Sequence, residues 1–480
     1  MVKYKPTIGL EVHIQLSTNS KVLCADKNEY GSKANTNISE ISLAHPGTLP
    51  VLNKTAIEYA VKMGFVCQSS ISQEMFFDRK NYFYPDLPKG YQLTQDKTPI
   101  CVGGRVQIRD GAGDFKTIKL TKIHLEEDAG KLIHQETSSS SMVDFNRAGV
   151  PLIELVTEPV IENDEDATAL LIELRKIVRY LEISDGDMEK GSLRCDANVS
   201  ITPQGSNELG KKVEVKNMNS FRHVQKAIQY EIKRQTLILD EGKEVISETR
   251  LYDVDSGETY DMRTKEELND YRYFPEPDLC PFYISQEWLD QIRKEIPTLP
   301  SQYIEKFMHQ YSITEKDAIT LTESKDMAEF FDQVCEKSGN YKAAVNWLIG
   351  PCKSYLNQKN CEISETGLTA SRLTDLIELV DQNKVSFSIA SGEILPYLFS
   401  DKTASPLDVA IKLNLLIDES PGQLESVVED LLKKYPEKVA AYKSGKKGLL
   451  GMFMGELMKE TGGKVDPKKA SESIKAALES

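Results

Sequence analysis

One stretch of the chain, residues 123–159, combines acidic side chains and a histidine with residues that favour β-strands. His124 comes shortly before Glu126 and Glu127, and an apolar run further on carries Glu154. Buried carboxylates are unfavourable unless they are paired or bind a cation. The stretch therefore predicts a strand that delivers acids to a metal or phosphate site. A solvated strand end followed by a turn is the alternative interpretation.

A second pair of such residues lies near the start of the chain. Apolar and other residues alternate over 7–16, so Glu11 and His13 fall on the same face of a predicted strand. Their attachment points are then about 6.5–7 Å apart. A carboxylate and an imidazole at that spacing could converge on one ion or one proton, although a hydrated polar face explains this pair more simply.

Two later segments repeat the alternation. Asp196 and Asn198 fall on the polar face of the first, and Glu214 and Lys216 fall on the polar face of the second. If these strands share an antiparallel sheet, their polar faces line one surface. This recurrence favours a functional surface over a merely solvated one. The alternation changes phase at 126–127, so the sequence leaves open which of these two glutamates faces that surface.

The surrounding elements predict a multidomain α+β protein, since 480 residues exceed the length of one hydrophobic core. Helical periodicity over 165–182 and after residue 220 predicts helices that back the sheet. We expect an antiparallel-sheet cradle domain over 1–294, an all-α helical domain over 295–404 and a small helical tail domain over 405–480.

Charge and cysteine content restrict the function classes. A net charge of −15 disfavours a general phosphate-backbone binder, yet residues 433–469 hold ten lysines against four acids. This basic segment predicts an RNA contact, with a solubilising surface as the alternative. The eight cysteines include no CxxC pair, which is typical of reduced thiols.

The chain shows no secretory or membrane-spanning segment. Glu11 and His13 interrupt the apolar residues near the N-terminus, so a signal peptide is not expected. No stretch approaches the roughly 20 apolar residues of a membrane span. We therefore expect a cytoplasmic protein with no membrane partner.

Common phosphate-binding and nucleophile motifs are absent from the sequence. No Walker A loop, no GxGxxG opening a helix and no GxSxG elbow occurs. If the protein uses ATP, we expect it to do so through metal-bridging carboxylates rather than a phosphate loop.

Nine segments spread over essentially the whole chain carry a resemblance to one family: IGLEVHIQL, PGTLPVLN, FDRKNYFYPDLPKGYQ, HLEEDAGK, DFNRAGVPLIELVTEP, KGSLRCDANVS, EVKNMNSFRHV, DYRYFPEPDL and GMFMGELMKETGGKVDP. Together they resemble the B subunits of aspartyl/glutamyl-tRNA amidotransferases, which make Gln-tRNA(Gln) and Asn-tRNA(Asn).

The resemblance implies a reaction. A misacylated tRNA would place its esterified Glu or Asp in the cradle, and ATP with Mg²⁺ would phosphorylate the free side-chain carboxylate. Ammonia from an amidase-type glutaminase subunit would then displace the phosphate. The implied assembly is a heterotrimer with that glutaminase and a small bridging subunit, and the tail domain would contact the tRNA body.

The resemblance also implies site residues. The implied metal ligands are Glu11, His13, Glu127 and Glu214, with Asp196 and Glu126 as further candidates. Of these, Glu11, His13, Glu127 and Glu214 are also expected to be catalytic, together with Lys80 and Lys89 near the phosphate or on the ammonia path. The implied nucleotide contacts are Arg147, Asn198 and Lys216.

No zinc is expected, because Cys24 stands alone where many family members carry paired cysteines. Two rival interpretations remain at the level of sequence. One is a tRNA-binding scaffold whose partners carry all the chemistry. The other is a free-standing metal hydrolase, for which the basic tail would have no use.

Overall fold

The computed structural model describes residues 3–134, 140–206, 208–264, 271–417, 423–462, 464–465 and 467–479. The chain divides into two compact units, Met1–Thr298 and Leu299–Ser480. The further division of the second unit near residue 404 stays a prediction.

The first unit contains all the strands of the described residues. In chain order they are β1 (Tyr4–Gln15), β2 (Ser70–Ile71), β3 (Glu74–Met75), β4 (Asp78–Asn81), β5 (Tyr91–Thr94), β6 (Cys101–Val102), β7 (Arg105–Arg109), β8 (Phe115–Glu127), β9 (Lys131–His134), β10 (Ser141–Asp144), β11 (Pro151–Thr157), β12 (Leu193–Pro203), β13 (Val213–Met218), β14 (Glu248–Tyr252), β15 (Thr259–Thr264), β16 (Phe274–Pro275) and β17 (Phe282–Tyr283).

Ten of these strands form the main sheet, in the order β15-β14-β13-β12-β1-β11-β8-β6-β2, with β7 also paired to β8. All of its pairs are antiparallel except β13 with β14, so the sheet is mixed rather than purely antiparallel. The chain leaves β13, passes through the helix Phe221–Asp240 and returns as β14. A crossover helix of this kind allows two strands to run parallel.

The main sheet has one apolar and one polar face. In β1 the side chains of Ile8, Leu10, Val12 and Ile14 are fully buried in a single hydrophobic core. Helices cover this apolar face: α1 (Lys54–Val66), α2 (Asp164–Tyr180), α3 (Phe221–Asp240) and α4 (Gln286–Lys294). The polar residues of the same strands point to the opposite face, where the candidate site lies.

Two N-cap residues mark the starts of α2 and α3, two of the helices that pack behind the sheet. The side chain of Asn163 accepts a hydrogen bond from the backbone N–H of Asp166 at the start of α2, and Ser220 does the same for His223 in α3. These caps satisfy backbone donors that the first turn of a helix leaves unpaired. The two predicted helices are thereby confirmed, each with a capped start.

The described part of the second unit is helical. Its α-helices are α5 (Pro300–Gln310), α6 (Glu315–Leu321), α7 (Lys325–Lys337), α8 (Tyr341–Trp347), α9 (Lys353–Lys359), α10 (Ala370–Asp381), α11 (Phe387–Ile389), α12 (Leu395–Ser400), α13 (Pro406–Lys412), α14 (Gln423–Lys434), α15 (Pro436–Lys443), α16 (Leu449–Glu460) and α17 (Pro467–Glu479). Two π-helical turns, Leu348–Cys352 and Ala390–Ile394, and one 3-10 turn, Ile363–Glu365, occur between them.

The last four helices share a hydrophobic core of their own, built around Phe453 and Leu457 from α16 and Ile474 from α17. The predicted fold class is therefore confirmed: an α+β unit with helices behind its sheet, followed by helical structure. Among the described residues, no helix combines the length and apolarity needed to cross a membrane.

Candidate functional site

A pocket of about 290 Å³ lies on the polar face of the main sheet. Five neighbouring strands, β8, β11, β1, β12 and β13, form its floor, and the small sheet of β16, β4 and β5 supplies a wall. Its lining residues are Glu11, His13, Lys80, Thr94, Asp96, Lys122, His124, Glu126, Glu154, Asp196, Glu214, Lys216, Tyr271 and Tyr273.

Strand register places two histidines on either side of one glutamate. Glu154 in β11 is paired with His13 in β1 and with His124 in β8. Residues that face each other across neighbouring strands project from the same side of the sheet, so the three side chains form one row. The Nε2 atoms of His13 and His124 each lie 3.3 Å from the same oxygen, Oε2 of Glu154.

Glu126 completes this group, which we call the His–Glu cluster (His13, His124, Glu126 and Glu154). Its carboxylate lies 3.5 Å from Nε2 of His124 and 3.8 Å from Nε2 of His13. Ligand atoms of His13, Glu126 and Glu154 lie within 4.8 Å of one another, a spacing that can hold a metal ion. The side chains are 4–20% exposed, so the cluster is shielded but reachable from the pocket.

The cluster is strongly coupled electrostatically. Burial lowers the pKa of His124, but hydrogen bonds and charge from Glu126 and Glu154 outweigh it and raise that pKa to about 9. The pKa of His13 is also raised: burial lowers it, but the same two carboxylates outweigh burial. Although burial acts to raise the pKa of Glu154, the two imidazoles hold it below its usual range. When no other cation is bound, the raised pKa values therefore favour protonated imidazoles beside these carboxylates.

A second group, which we call the outer acid group (Glu11, Asp196 and Glu214), lies beside the cluster. Glu11 accepts a 2.8 Å hydrogen bond from Asn198, which stands opposite Glu214 in the neighbouring strand. Lys216 forms ion pairs with Asp196 and, at 3.1 Å, with Glu214.

The contacts of Lys216 and Glu214 determine the charge of these two side chains. Burial lowers the pKa of Lys216, but Asp196 and Glu214 outweigh it and raise that pKa above its usual range. Burial acts to raise the pKa of Glu214, while Lys216 and the Thr249 hydroxyl, which donates at 2.8 Å, bring it below its usual value. Lys216 and Glu214 therefore face the pocket as ions.

The wall from the small sheet adds a base and aromatic rings. Lys80 of β4 lies 5.0 Å from the ring centre of Tyr271, within the range of a cation–π contact. Thr94 of β5 donates to Glu126 at 3.3 Å. The pocket thus presents six carboxylates, two imidazoles and three lysines to any ligand that enters it.

The structure decides which of the adjacent glutamates faces this pocket. Successive side chains of a strand point to opposite faces, and it is Glu126 that enters the His–Glu cluster. Glu127 points away, forms an ion pair with Lys89 and accepts a 2.9 Å hydrogen bond from the backbone N–H of Leu93. Glu127 and Lys89 line a separate pocket of about 220 Å³ that also contains Cys24.

Arg147 is not in the site pocket either. Its guanidinium donates to the backbone carbonyls of Ala129 and Gly130, at 2.9 and 2.6 Å, and lies 3.8 Å from Asp128. These contacts tie a turn together. Glu127, Lys89 and Arg147 therefore lie outside the pocket that holds the other candidate ligands, because strand alternation and the turn geometry direct them elsewhere. The implied roles of Glu127 as a metal ligand, of Lys89 near the phosphate or on the ammonia path and of Arg147 as a nucleotide contact stay predictions.

The other predicted site residues are brought together. Glu11, His13, Glu126, Asp196, Glu214, Lys80 and Lys216 all line the pocket, and Asn198 is bonded to Glu11. The site assignment had not included His124 or Glu154. Both belong to the stretch 123–159 that the sequence singled out, but only the pairing of β11 with both β1 and β8 places them beside His13.

Comparison with known proteins shows which family this chain resembles. A family model described as the GatB/GatE catalytic domain matches residues 6–290, the part of the chain that holds the sheet and both pockets. A second model, described as a GatB domain, matches residues 329–478. The sequence and structure thus define a catalytic sheet domain followed by a GatB-type helical region.

Full-length relatives specify the family. The chain is 45% identical over 477 residues to a protein of Caldanaerobacter subterraneus subsp. tengcongensis, covering 99% of this chain and 100% of the relative. It is 44% identical to a protein of Persephonella marina, with 99% and 100% covered, and to one of Chlorobium luteolum, with both chains covered completely. All three carry the name of the B subunit of aspartyl/glutamyl-tRNA(Asn/Gln) amidotransferase. The chain belongs to this GatB/GatE family, which confirms the resemblance found in the sequence.

Proposed function

We propose that this chain is the ATP-using subunit of a tRNA-dependent amidotransferase. It phosphorylates the side-chain carboxylate of Glu-tRNA(Gln) or Asp-tRNA(Asn), and ammonia from a partner then displaces the phosphate to give the amide. The observation that carries this proposal is the pocket of the catalytic domain, where the His–Glu cluster and the outer acid group lie side by side with Lys216 between two of the acids.

The donor set of the pocket fits a cation-dependent reaction. Ligand atoms of His13, Glu126 and Glu154 lie within 4.8 Å of one another, and His124 contacts both glutamates. The outer acid group offers only oxygens, the donors that Mg²⁺ prefers. When bound, such cations neutralise the charge that develops on a transferring phosphoryl group. The fit supports the expectation of ATP with Mg²⁺.

The charge balance of the pocket supports the same conclusion. Six carboxylates face three lysines and two imidazoles, so the lining stays net negative even when both imidazoles are protonated. Both substrates, a triphosphate and a carboxylate, are also anionic. An anion enters such a pocket only together with cations, because like charges repel strongly in a half-buried site. Lys80, Lys122 and Lys216 supply fixed positive charge, and Lys216 can exchange an acid for a phosphate oxygen without losing its proton.

The same residues can position the carboxylate that is to be activated. Phosphoryl transfer depends on in-line placement of the attacking and leaving oxygens more than on a protein nucleophile. The rows of side chains on β8, β11, β1, β12 and β13 stand on a rigid sheet, so their relative positions are set before substrate arrives. The tyrosines of the wall, Tyr271 and Tyr273, restrict the approach from the side.

The proposal implies partners. The chain would act in a heterotrimer with an amidase-type glutaminase subunit and a small bridging subunit, and the misacylated tRNA would be its macromolecular substrate. Exposed lysines of α15 and of the turn that follows it, Lys438, Lys443, Lys446 and Lys447, support a contact with the tRNA body.

ADP formation by the reconstituted complex tests the proposal. With ATP, Mg²⁺ and Glu-tRNA(Gln) but no ammonia source, ADP should form only when the tRNA is charged. Glu154→Gln should abolish this activity, because both imidazoles contact that carboxylate. Glu158→Gln is the matched control, since Glu158 lies near the same strand but accepts from Thr121 outside the pocket. ATP cleavage that does not depend on charged tRNA would overturn the proposal.

A further inference from the structure

One end of the aromatic wall beside the pocket is held by Asn81, the last residue of β4. The backbone N–H of Asn81 donates a hydrogen bond to the carbonyl of Tyr271 at 3.0 Å. Its side-chain amide donates to the same carbonyl at 3.2 Å and to the carbonyl of Arg272 at 2.8 Å. A single residue therefore secures two consecutive carbonyls of the wall.

Arg272 has a backbone conformation that needs such support. Its φ of 43° lies in the left-handed region, which residues other than glycine rarely occupy. Other residues persist there only where the surrounding structure restrains them, and such positions cluster at functional sites. The hydrogen bond from the side chain of Asn81 to the Arg272 carbonyl provides this restraint directly.

The other end of the wall is anchored independently. β16 pairs with β4, and Phe274 lies opposite Arg79 in this pairing. The guanidinium of Arg79 donates two hydrogen bonds to the carboxylate of Glu276, at 2.7 and 2.6 Å, and the Glu276 side chain is only 1% exposed. Loss of the Asn81 contacts would therefore release Tyr271 while β16 stays in place.

The end of the wall that Asn81 holds carries the ring beside Lys80. Nζ of Lys80 lies 5.0 Å from the ring centre of Tyr271. This ring packs edge-on against Tyr82 and Tyr273, with ring centres 6.0 Å apart in both pairs. In the part of the chain that the structure describes, no carboxylate lies within ion-pair distance of Lys80. Because a lysine side chain is long and flexible, the position of its charge depends on the ring.

We infer that Asn81 is a positioning residue, because it holds Tyr271 in the strained turn at Arg272. The ring of Tyr271 in turn directs the ammonium of Lys80 into the pocket. This role rests on the proposed function, which uses Lys80 as a fixed positive charge, and deepens it by adding a residue outside the pocket lining. Charges stabilise a transition state best when they are placed before the reaction starts. Release of Tyr271 should therefore slow the activation step more than it weakens the binding of ATP.

Steady-state kinetics of charged-tRNA-dependent ADP formation by the reconstituted complex test this role. Asn81→Ala should lower kcat at least about fivefold, the change expected from one lost hydrogen bond, and should change the KM for ATP by less than about twofold. The matched control is Asn28→Ala, because the Asn28 side chain also donates to a backbone carbonyl, that of Leu16 at 2.8 Å, but lies outside the site pocket. Its kcat should stay near that of the unaltered chain. All rates are measured well below the melting temperature of each variant, so that a loss of stability alone does not lower them.

Two substitutions of Arg272 test the strained turn while Asn81 is left intact. Arg272→Gly and Arg272→Val both remove the arginine side chain and its contacts. Glycine adopts the left-handed conformation readily, whereas a β-branched residue does not. The kcat of Arg272→Val should therefore be at least about fivefold below that of Arg272→Gly. Because Arg272 is exposed, we expect both variants to fold.

A double-mutant cycle tests whether the effect of Asn81 passes through the ring. Tyr271→Leu should lower kcat about as much as Asn81→Ala does, and the double variant should lose little more, because residues that act through one contact are not additive.

The outcomes separate this role from the proposed function. An unchanged kcat in Asn81→Ala, a loss confined to the KM for ATP, equal kcat values for Arg272→Gly and Arg272→Val, or additive losses in the cycle would each overturn the positioning role. All four results would leave the proposed function intact. The proposed function itself fails if ADP forms without charged tRNA.

Discussion

Replacing Glu126 should mainly affect activity, whereas replacing the adjacent Glu127 should mainly affect stability. Glu126 belongs to the His–Glu cluster, whereas Glu127 forms the buried ion pair with Lys89 on the other side of β8. Glutamine is nearly isosteric with glutamate and removes the charge. We therefore expect Glu126→Gln to abolish ATP cleavage with little loss of stability, and Glu127→Gln to lower stability with little loss of ATP cleavage.

The magnitudes follow from what each carboxylate contacts. Loss of a cation ligand at a phosphoryl-transfer site removes several kcal/mol of transition-state stabilisation, and about 3 kcal/mol corresponds to a rate loss of more than a hundredfold. The stability loss in Glu126→Gln is limited to about 1 kcal/mol, because the imidazoles of His13 and His124 can become neutral once this charge is removed.

Glu127→Gln leaves a buried charge without its partner. The side chains of Lys89 and Glu127 are 11% and 4% exposed. Breaking such a pair costs about 3–5 kcal/mol. The value should lie at the low end, since glutamine can still accept the hydrogen bond from the Leu93 N–H. For a unit of this size, a loss of about 3 kcal/mol corresponds to a melting temperature about 5 °C lower.

The assay is charged-tRNA-dependent ADP formation without ammonia, measured well below the melting temperatures of both variants and paired with thermal denaturation. Omitting ammonia isolates the activation step from any effect of Glu127 on later steps. The assignment of the two side chains would be refuted if Glu127→Gln lost most of its ATP cleavage while Glu126→Gln retained it.

Three further expectations follow from single contacts. Thr249→Val removes the hydrogen bond to Glu214 and should lower kcat/KM for ATP about fivefold, which corresponds to a loss of roughly 1 kcal/mol. Thr249→Ser keeps the hydroxyl and should restore kcat/KM. Equal activity of the two variants would contradict this role of the hydrogen bond. Burial raises the pKa of Cys24 to about 11. Iodoacetamide in mildly alkaline buffer should therefore modify the exposed Cys280 well before Cys24, as measured by peptide mass spectrometry. Equal modification rates would show that Cys24 is not shielded. Arg147→Met should lower stability by about 2 kcal/mol, because it removes the hydrogen bonds from the guanidinium to two backbone carbonyls. ADP formation measured below the melting temperature should stay near that of the unaltered chain. A complete loss of activity would show that Arg147 takes part in the reaction.

The sequence by itself determined the local structure and the chemistry of the surface. Alternation over 7–16 identified which side of β1 carries Glu11 and His13, since the two-residue repeat of a strand is a local property. The same reasoning placed Asp196, Glu214 and Lys216 on a polar face. Family resemblance then supplied the reaction, and the family was confirmed by full-length relatives.

The tertiary structure alone decided which residues meet. The sheet order interleaves distant segments, so β11 lies between β1 and β8, and Glu154 faces His13 and His124 at once. The choice between Glu126 and Glu127 also depended on the fold, because both strand faces at this point are covered by polar partners and the apolar pattern no longer indicates the inside. Register is set by packing of the whole sheet, and a shift of one residue would exchange the two glutamates between pockets.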